Sequence, residues 1–131
     1  ERAKALGLKP IAKVVSMGLA GVDPSIMGYG PVPSTEKALK AVNLTMDDID
    51  AVELNEAFAS QALAVTRELN INPEIVNVNG GAISLGHPLG CTGAKLSVQL
   101  FDEMKRRGNK YGIVSMCVGT GQGSAGIYEV L

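Results

Sequence analysis

The hydrophobic and polar positions along the chain predict strands and helices in alternation. Short runs rich in Ile, Val and Ala indicate strands, and two longer segments repeat apolar residues every three or four positions, as on one face of a helix. The first helical segment, 56–69, carries the stripe Phe58, Ala62, Val65 and Leu69. The second, 94–107, carries the stripe Leu96, Leu100 and Met104. Each helix is therefore expected to bury one apolar face.

The predicted elements follow the order β, α, β, α, β, α, β, β after a short helical start. The expected strands are 11–17, 51–54, 74–79, 113–118 and 125–131, and the expected helices are 34–42, 56–69 and 94–107. Ser34 is expected to cap the first helix after an irregular Gly- and Pro-rich connection, and Thr45 with Asp48 predicts a capping box. This order implies an α/β fold, with a mixed, mostly parallel sheet covered by helices and an antiparallel hairpin at its end.

Functional groups of such sheets collect beyond the carboxyl ends of the strands. Three loops follow predicted strands and carry chemically versatile residues, which are Asn55, His87 and Cys117. These loops are the candidate functional region of the chain.

Composition and charge narrow the class of protein. The chain has 131 residues, enough for one domain with a core, and its 12 basic and 13 acidic residues give a net charge of -1. No long-range field would therefore draw it to nucleic acid. Its apolar runs are too short to cross a bilayer, and no signal segment is recognisable. We expect a soluble, cytoplasmic protein that binds neither nucleic acid nor membrane.

Two features suggest that the chain belongs to a larger protein. It begins at Glu1 rather than at a Met, and its mean hydropathy of +0.17 is high for so small a body. A small domain exposes a large share of its surface, so some of these apolar residues are expected to form a patch that a partner covers.

His87 is the only histidine of the chain and lies between Gly86 and Pro88 in a Gly-rich loop that enters a helix. Pro88 disfavours helical angles at His87, and Gly86 permits a bend that would aim the imidazole into a cleft. A structural or exposed loop histidine is the competing explanation.

Cys117 ends an apolar strand and is followed by the segment 119–123, which contains three glycines. A thiol beside uncovered backbone amides suits a tuned thiolate with a nearby oxyanion site, although a small core residue explains it equally well. Cys91 and Cys117 are too few for a disulfide-built scaffold, so both are expected to be thiols. With His87 they lack the paired spacing of a zinc site, and no metal is expected.

Asn55 precedes the second predicted helix, where it would serve as an N-cap. The alternative is that its amide holds a water or a substrate carbonyl. Glu56 beside it is explained as a favourable first-turn charge.

Three stretches together resemble the active-site motifs of the thiolase family. They are Asn55-Glu56-Ala57-Phe58, Gly80-Gly81-Ala82-Ile83-Ser84-Leu85-Gly86-His87-Pro88-Leu89-Gly90 and Cys117-Val118-Gly119-Thr120-Gly121. They occur in the family's order, and the loop around Gly30-Pro31-Val32-Pro33 also resembles the family's C-terminal domain. The resemblance covers essentially the whole chain and implies a thiolase C-terminal domain over residues 1–131.

The resemblance implies a role for each residue. Cys117 matches the acid/base, which deprotonates the methyl group of acetyl-CoA in condensation or the incoming CoA thiol in thiolysis. His87 matches the histidine that activates the nucleophilic cysteine and donates to the thioester oxygen. Asn55 matches the residue that holds a water in the same oxyanion site, and Gly119 matches the glycine whose amide serves a second one. Neither Cys117 nor Cys91 fits the nucleophile motif, which the family carries in its N-terminal half.

The resemblance therefore implies the C-terminal catalytic half of an acetyl-CoA acetyltransferase or of a 3-ketoacyl-CoA thiolase of fatty-acid degradation. Its substrates would be acyl-CoA and acetyl-CoA, with no covalently bound cofactor, and its partners an N-terminal half and further copies in a homo-oligomer. The isolated chain is expected to fold but to be inactive. A non-catalytic acyl-CoA or lipid-binding module and a generic α/β interaction domain are alternatives, and the joint presence of Asn55, His87 and Cys117 favours the enzyme.

Overall fold

A four-stranded sheet with helices on both faces organises the chain, whose residues 1–131 are all described by a computed structural model. The strands are β1 (Ala12–Gly21), β2 (Ala51–Leu54), β3 (Tyr111–Gly119) and β4 (Gln122–Val130). The α-helices are α1 (Arg2–Ala5), α2 (Pro31–Lys40), α3 (Ala59–Glu68), α4 (Ala82–Leu85) and α5 (Thr92–Arg107). Short 3-10 helices occupy Pro24–Tyr29, Met46–Asp48, Pro73–Ile75 and Leu89–Cys91.

The strands lie in the order β1, β4, β3, β2. Only β2 and β3 are parallel, whereas β4 pairs antiparallel with both β3 and β1. The sheet is mixed and the α/β class is confirmed, but the prediction of a mostly parallel sheet is wrong. The β3–β4 hairpin leaves one edge of β4 free and β1 occupies it, a pairing that the pattern of a single strand does not encode.

The predicted strand at 74–79 is also wrong, so the order βαβαβαββ loses its third strand. Pro73–Ile75 is a 3-10 helix, and only one parallel bridge, between Val52 and Val76, remains. The Asn72 side chain accepts from the Glu74 N–H at 3.0 Å, which closes a turn instead of a ladder. Asn77 then has φ of 47°, which takes the backbone out of the extended region.

The first strand and the first long helix both extend beyond their predicted limits. β1 continues to Gly21, and α2 begins at Pro31 rather than after Ser34. Proline suits the first turn of a helix because its missing N–H would have no partner there. Gly30 is therefore the N-cap, and the Ser34 hydroxyl donates instead to the Pro31 carbonyl at 3.1 Å. The predicted capping box of Thr45 and Asp48 is confirmed.

The core has two parts, one on each face of the sheet. On one face α2 and α3 pack against the strands. The buried residues of this part, from the helices and the strands together, include Val32, Ala38, Leu39, Val52, Leu54, Val65, Leu69, Ile113, Ala125 and Ile127. On the other face Leu96, Leu100 and Met104 of α5 pack against Ala51 of β2 and Val114 of β3. The predicted stripe of α5 is confirmed. That of α3 is confirmed at Val65 and Leu69, whereas Phe58 precedes the helix and is 60% exposed.

Part of the sheet is left bare beside α5. Met17 and Leu19 of β1 and Val118 of β3 are each more than half exposed, and Met116 lines two shallow hollows between them. We call these four residues the apolar sheet face. The expectation of an uncovered apolar patch is confirmed. None of the helices is long and apolar enough to cross a membrane.

Candidate active site

Two parallel strands, β2 and β3, bring two of the predicted site residues to the same end of the sheet, where both strands have their carboxyl ends. Asn55 directly follows β2, and its backbone N–H donates to the Ser115 carbonyl of β3 at 2.9 Å. Cys117 lies two residues beyond Ser115 on β3. The third residue, His87, lies in the segment 80–91, which we call the histidine loop.

Asn55 and His87 are in contact. Asn55 Nδ2 lies 3.5 Å from His87 Nε2, and Asn55 is 1% exposed. The capping explanation for Asn55 is wrong, because α3 begins at Ala59 with Phe58 at its cap. Asn55 Oδ1 has no hydrogen-bond partner. An unsatisfied buried polar atom costs about 1–3 kcal/mol, so this residue is better explained by binding than by folding.

Residues outside the histidine loop contact the imidazole of His87 at both ring nitrogens. Gly86 has φ of 94° and ψ of 160°, a conformation open essentially to glycine alone, so the predicted bend before His87 is confirmed. The Lys95 ammonium donates to the Gly86 carbonyl at 2.7 Å. His87 Nδ1 lies 2.6 Å from the Thr92 hydroxyl at the start of α5. His87 as a whole residue remains exposed to solvent.

Cys117 is half-buried and makes no hydrogen bond to Asn55 or His87. Burial raises the pKa of its thiol above the ordinary value. This direction favours the protonated thiol, and the interpretation of Cys117 as a tuned thiolate stays a prediction. Cys91 is also a free thiol, so the prediction of two unpaired cysteines is confirmed.

The turn after Cys117 is built from left-handed backbone. Gly119, Thr120 and Gly121 have φ of 103°, 50° and 84°, and the last two form the tight hairpin turn between β3 and β4. Cys117 pairs with Gly123 and Gly119 with Gln122, which leaves Val118 as an extra residue, a β-bulge. A Cβ at Gly119 would meet nothing within 4 Å, so this glycine serves the backbone angle and not the space around it.

Glu56 ties the histidine loop to the end of β2. Its carboxylate accepts from the Ile83 N–H at 2.9 Å, and a Cβ at Gly81 would clash with its carboxyl group. The interpretation of Glu56 as a first-turn charge is wrong, because α3 begins three residues later. The one feature of the sequence that could have indicated a role for Glu56 in the site is its position beside Asn55 at the end of a strand.

Asn77 completes the outer edge of β2. Its amide oxygen accepts from the Leu54 N–H and its amide nitrogen donates to the Leu54 carbonyl, both at 2.8 Å. The side chain thus replaces a strand neighbour immediately before Asn55. No pattern in the sequence indicated this role, because Asn77 fell within a predicted strand.

Glu53 lies behind the histidine loop, on the face of β2 that α5 covers. It is 2% exposed, and Gln99 donates both to its Oε1 at 3.3 Å and to the Gly80 carbonyl at 2.9 Å. Burial raises the pKa of Glu53 to about 7, although the bond from Gln99 lowers it. Its Oε2 has no partner. A substantial fraction of Glu53 is therefore protonated near neutral pH.

A family model described as the thiolase C-terminal domain matches residues 8–130, nearly the whole chain. The chain belongs to the thiolase family. It is 57% identical over 130 residues to the 3-ketoacyl-CoA thiolase of Bacillus subtilis and 58% identical over 132 residues to that of Marinobacter nauticus. These matches cover 99% and 98% of this chain but 33% and 34% of the two thiolases.

Solved thiolase structures share the fold. The crystal structure of the Bacillus anthracis acetyl-CoA acetyltransferase matches with a TM-score of 0.96 and 52% sequence identity. Human mitochondrial 3-ketoacyl-CoA thiolase matches with a TM-score of 0.97 and 48% identity. Each match covers 99% of this chain and 33% of the solved chain. The thiolase-like fold is confirmed, and the chain spans about a third of the length of these relatives.

Proposed function

We propose that the chain is the C-terminal catalytic part of a thiolase, which transfers acyl groups between acyl-CoA and CoA by thiolysis or Claisen condensation. The observation that carries this proposal is the meeting of Asn55 Nδ2 and His87 Nε2, 3.5 Å apart, at the sheet edge toward which the strand bearing Cys117 also runs. The relatives named 3-ketoacyl-CoA thiolase support a 3-ketoacyl-CoA as the substrate of thiolysis.

Carbon–carbon chemistry beside a thioester needs donors for the enolate oxygen that develops in the transition state. Each preorganised donor contributes on the order of 3 kcal/mol. His87 Nε2, once protonated, and a water held by Asn55 Nδ2 are the proposed donors. At 3.5 Å apart, the two nitrogen atoms leave room for one oxygen within hydrogen-bond distance of both. The Gly119 N–H is the proposed donor of a second oxyanion site.

Cys117 is the proposed acid/base. In thiolysis its thiol gives a proton to the α carbon as the carbon–carbon bond breaks, and the resulting thiolate then takes the proton of the incoming CoA thiol. The raised pKa of Cys117 supports this order, because it favours the protonated form in the resting site. Condensation runs through the same transfers in reverse.

The acyl group also needs a nucleophilic cysteine to carry it. We propose that this residue belongs to an N-terminal part of the protein, since the chain spans only about a third of its relatives. The apolar sheet face and the solvent-exposed side of His87 are the surfaces that this part would cover. A homo-oligomeric complete enzyme and a cytoplasmic location stay predictions from the sequence.

Reconstitution tests the proposal. We expect the isolated chain to fold, as followed by circular dichroism, and to self-associate through its apolar sheet face, as followed by sedimentation. It should not cleave acetoacetyl-CoA. Adding the N-terminal polypeptide should restore thiolysis, and a His87→Ala chain should not.

Two results would contradict the proposal. Robust turnover by the pure, monomeric chain would mean that the chemistry comes from residues assigned here to packing. Tight acyl-CoA binding by the complete protein without any turnover would instead establish a non-catalytic binding module.

A further inference from the structure

Both nitrogens of the His87 imidazole contact side chains whose donor and acceptor roles can be assigned. Thr92 lies at the start of α5, is 3% exposed, and has its hydroxyl 2.6 Å from His87 Nδ1. The same hydroxyl lies 3.0 Å from the Pro88 carbonyl, and Asn55 Nδ2 lies 3.5 Å from His87 Nε2. Neither neighbour of the ring carries a charge.

The Thr92 hydroxyl has one proton, and its two partners compete for it. A carbonyl oxygen only accepts, so the contact with Pro88 requires Thr92 to donate there. Thr92 must then accept from His87, which places the imidazole proton on Nδ1. A neutral ring in this tautomer has its lone pair on Nε2.

The opposite side of the ring fits the same tautomer. The Asn55 amide nitrogen only donates, so in this amide orientation the Nε2 that it faces, 3.5 Å away, is the acceptor. The alternative tautomer would need two changes together, which are a Thr92 proton withdrawn from Pro88 and an Asn55 amide turned by half a rotation. The two contacts therefore support each other.

We propose that Thr92 is a positioning residue that holds His87 in the Nδ1–H tautomer and so keeps the Nε2 lone pair available to take a proton from a thiol. This inference rests on the proposed function and identifies the residue that fixes the tautomer of its general base, His87. When Nε2 gains that proton from the sulfur, the thiol becomes a thiolate and the ring an imidazolium. Nδ1–H still donates to Thr92 in both protonation states, so the Thr92 hydroxyl does not have to rotate when Nε2 gains its proton.

The first test observes the tautomer directly and does not depend on activity. Because His87 is the only histidine of the chain, ligating a nitrogen-15-histidine-labelled chain to the unlabelled N-terminal part labels a single imidazole in the complete enzyme. Solid-state NMR at a pH where the ring is neutral should show a protonated Nδ1 and an unprotonated Nε2. A protonated Nε2 would overturn the proposal.

The second test compares two variants of the complete enzyme. Thr92→Val keeps the side-chain volume and removes the hydroxyl, whereas Thr92→Ser keeps the hydroxyl. We expect the Val variant to lose kcat by about 10- to 100-fold with little change in KM, the size of loss seen when the hydrogen-bond partner that orients a metal-binding histidine is removed. Its NMR spectrum should show a mixture of tautomers. The Ser variant should retain kcat close to that of the parent.

The outcomes separate this inference from the proposed function. An active parent with an equally active Val variant, or with a Ser variant as impaired as Val, would refute the role of Thr92 and leave the thiolase proposal standing. A complete parent enzyme without thiolase activity would refute the proposed function, while the tautomer in the NMR spectrum would still decide how Thr92 holds the ring.

Discussion

Replacing Glu53 with Gln should change how stability depends on pH. The pKa of Glu53 is raised from 4.5 to about 7 in the folded chain, chiefly by burial. Between these values the unfolded chain has lost the proton that the folded chain still binds, so raising the pH favours unfolding. Relative to the ionised form, protonated Glu53 stabilises the folded chain. This stabilisation is fully present below pH 4.5 and is lost as the pH rises through about 7.

The size of the effect follows from the same shift. Each pKa unit corresponds to about 1.4 kcal/mol, so a rise from 4.5 to about 7 is worth about 3 kcal/mol. About 1 kcal/mol of this is lost below pH 5, where the carboxyl of the unfolded chain already titrates, which leaves about 2 kcal/mol between pH 5 and pH 8. The amide introduced by Glu53→Gln would keep an oxygen for the Gln99 side chain but would carry no charge at any pH.

Urea denaturation of the chain at low protein concentration, at pH 5 and at pH 8, measures the difference. We expect the free energy of unfolding of the parent to fall by about 2 kcal/mol relative to that of Glu53→Gln between these two values. Glu36→Gln, on the exposed side of α2, removes the same charge and should keep the pH dependence of the parent. Equal pH dependence of the parent and Glu53→Gln would refute the reasoning.

Two further substitutions probe the oxyanion donor and the turn. Asn55→Ala in the complete enzyme should lower kcat by about 100-fold, because it removes the group that holds an oxyanion donor, and an unchanged kcat would exclude Asn55 from the chemistry. Gly119→Ala should lower the free energy of unfolding by about 1–2 kcal/mol, because φ of 103° strains any side-chain-bearing residue. Gly90→Ala, where φ is not positive and a Cβ would also meet nothing within 4 Å, should change stability little, and equal losses would contradict the role of strain at Gly119.

The sequence predicted those parts of the fold that a local pattern determines. The α5 stripe of Leu96, Leu100 and Met104 and the capping box of Thr45 are short-range features, and both are confirmed. The failures concern competition between local and distant partners. The 74–79 segment is apolar enough for a strand, but the side chain of Asn77 takes the hydrogen bonds at Leu54 that a strand would have made. Which edge β1 would join is likewise decided by the β3–β4 hairpin.

The candidate site divides in the same way. Asn55 and His87 were predicted from their loops, and the structure brings them into contact. Thr92 and Glu56 were not recognised as parts of the site, because their roles depend on where the histidine loop folds back onto β2 and α5. The direction in which burial shifts the pKa of Cys117 could not be predicted, since it depends on residues that are distant in the sequence.

The central claim is that Cys117 moves the proton at the α carbon while another residue carries the acyl group. The most direct measurement is hydrogen–deuterium exchange at the methyl group of acetyl-CoA, followed by NMR in the complete enzyme with Cys117→Ala. We expect exchange to fall by at least about 100-fold, while acylation of the nucleophilic cysteine by acetyl-CoA stays measurable by mass spectrometry. Exchange at the normal rate in the Cys117→Ala enzyme would contradict the claim.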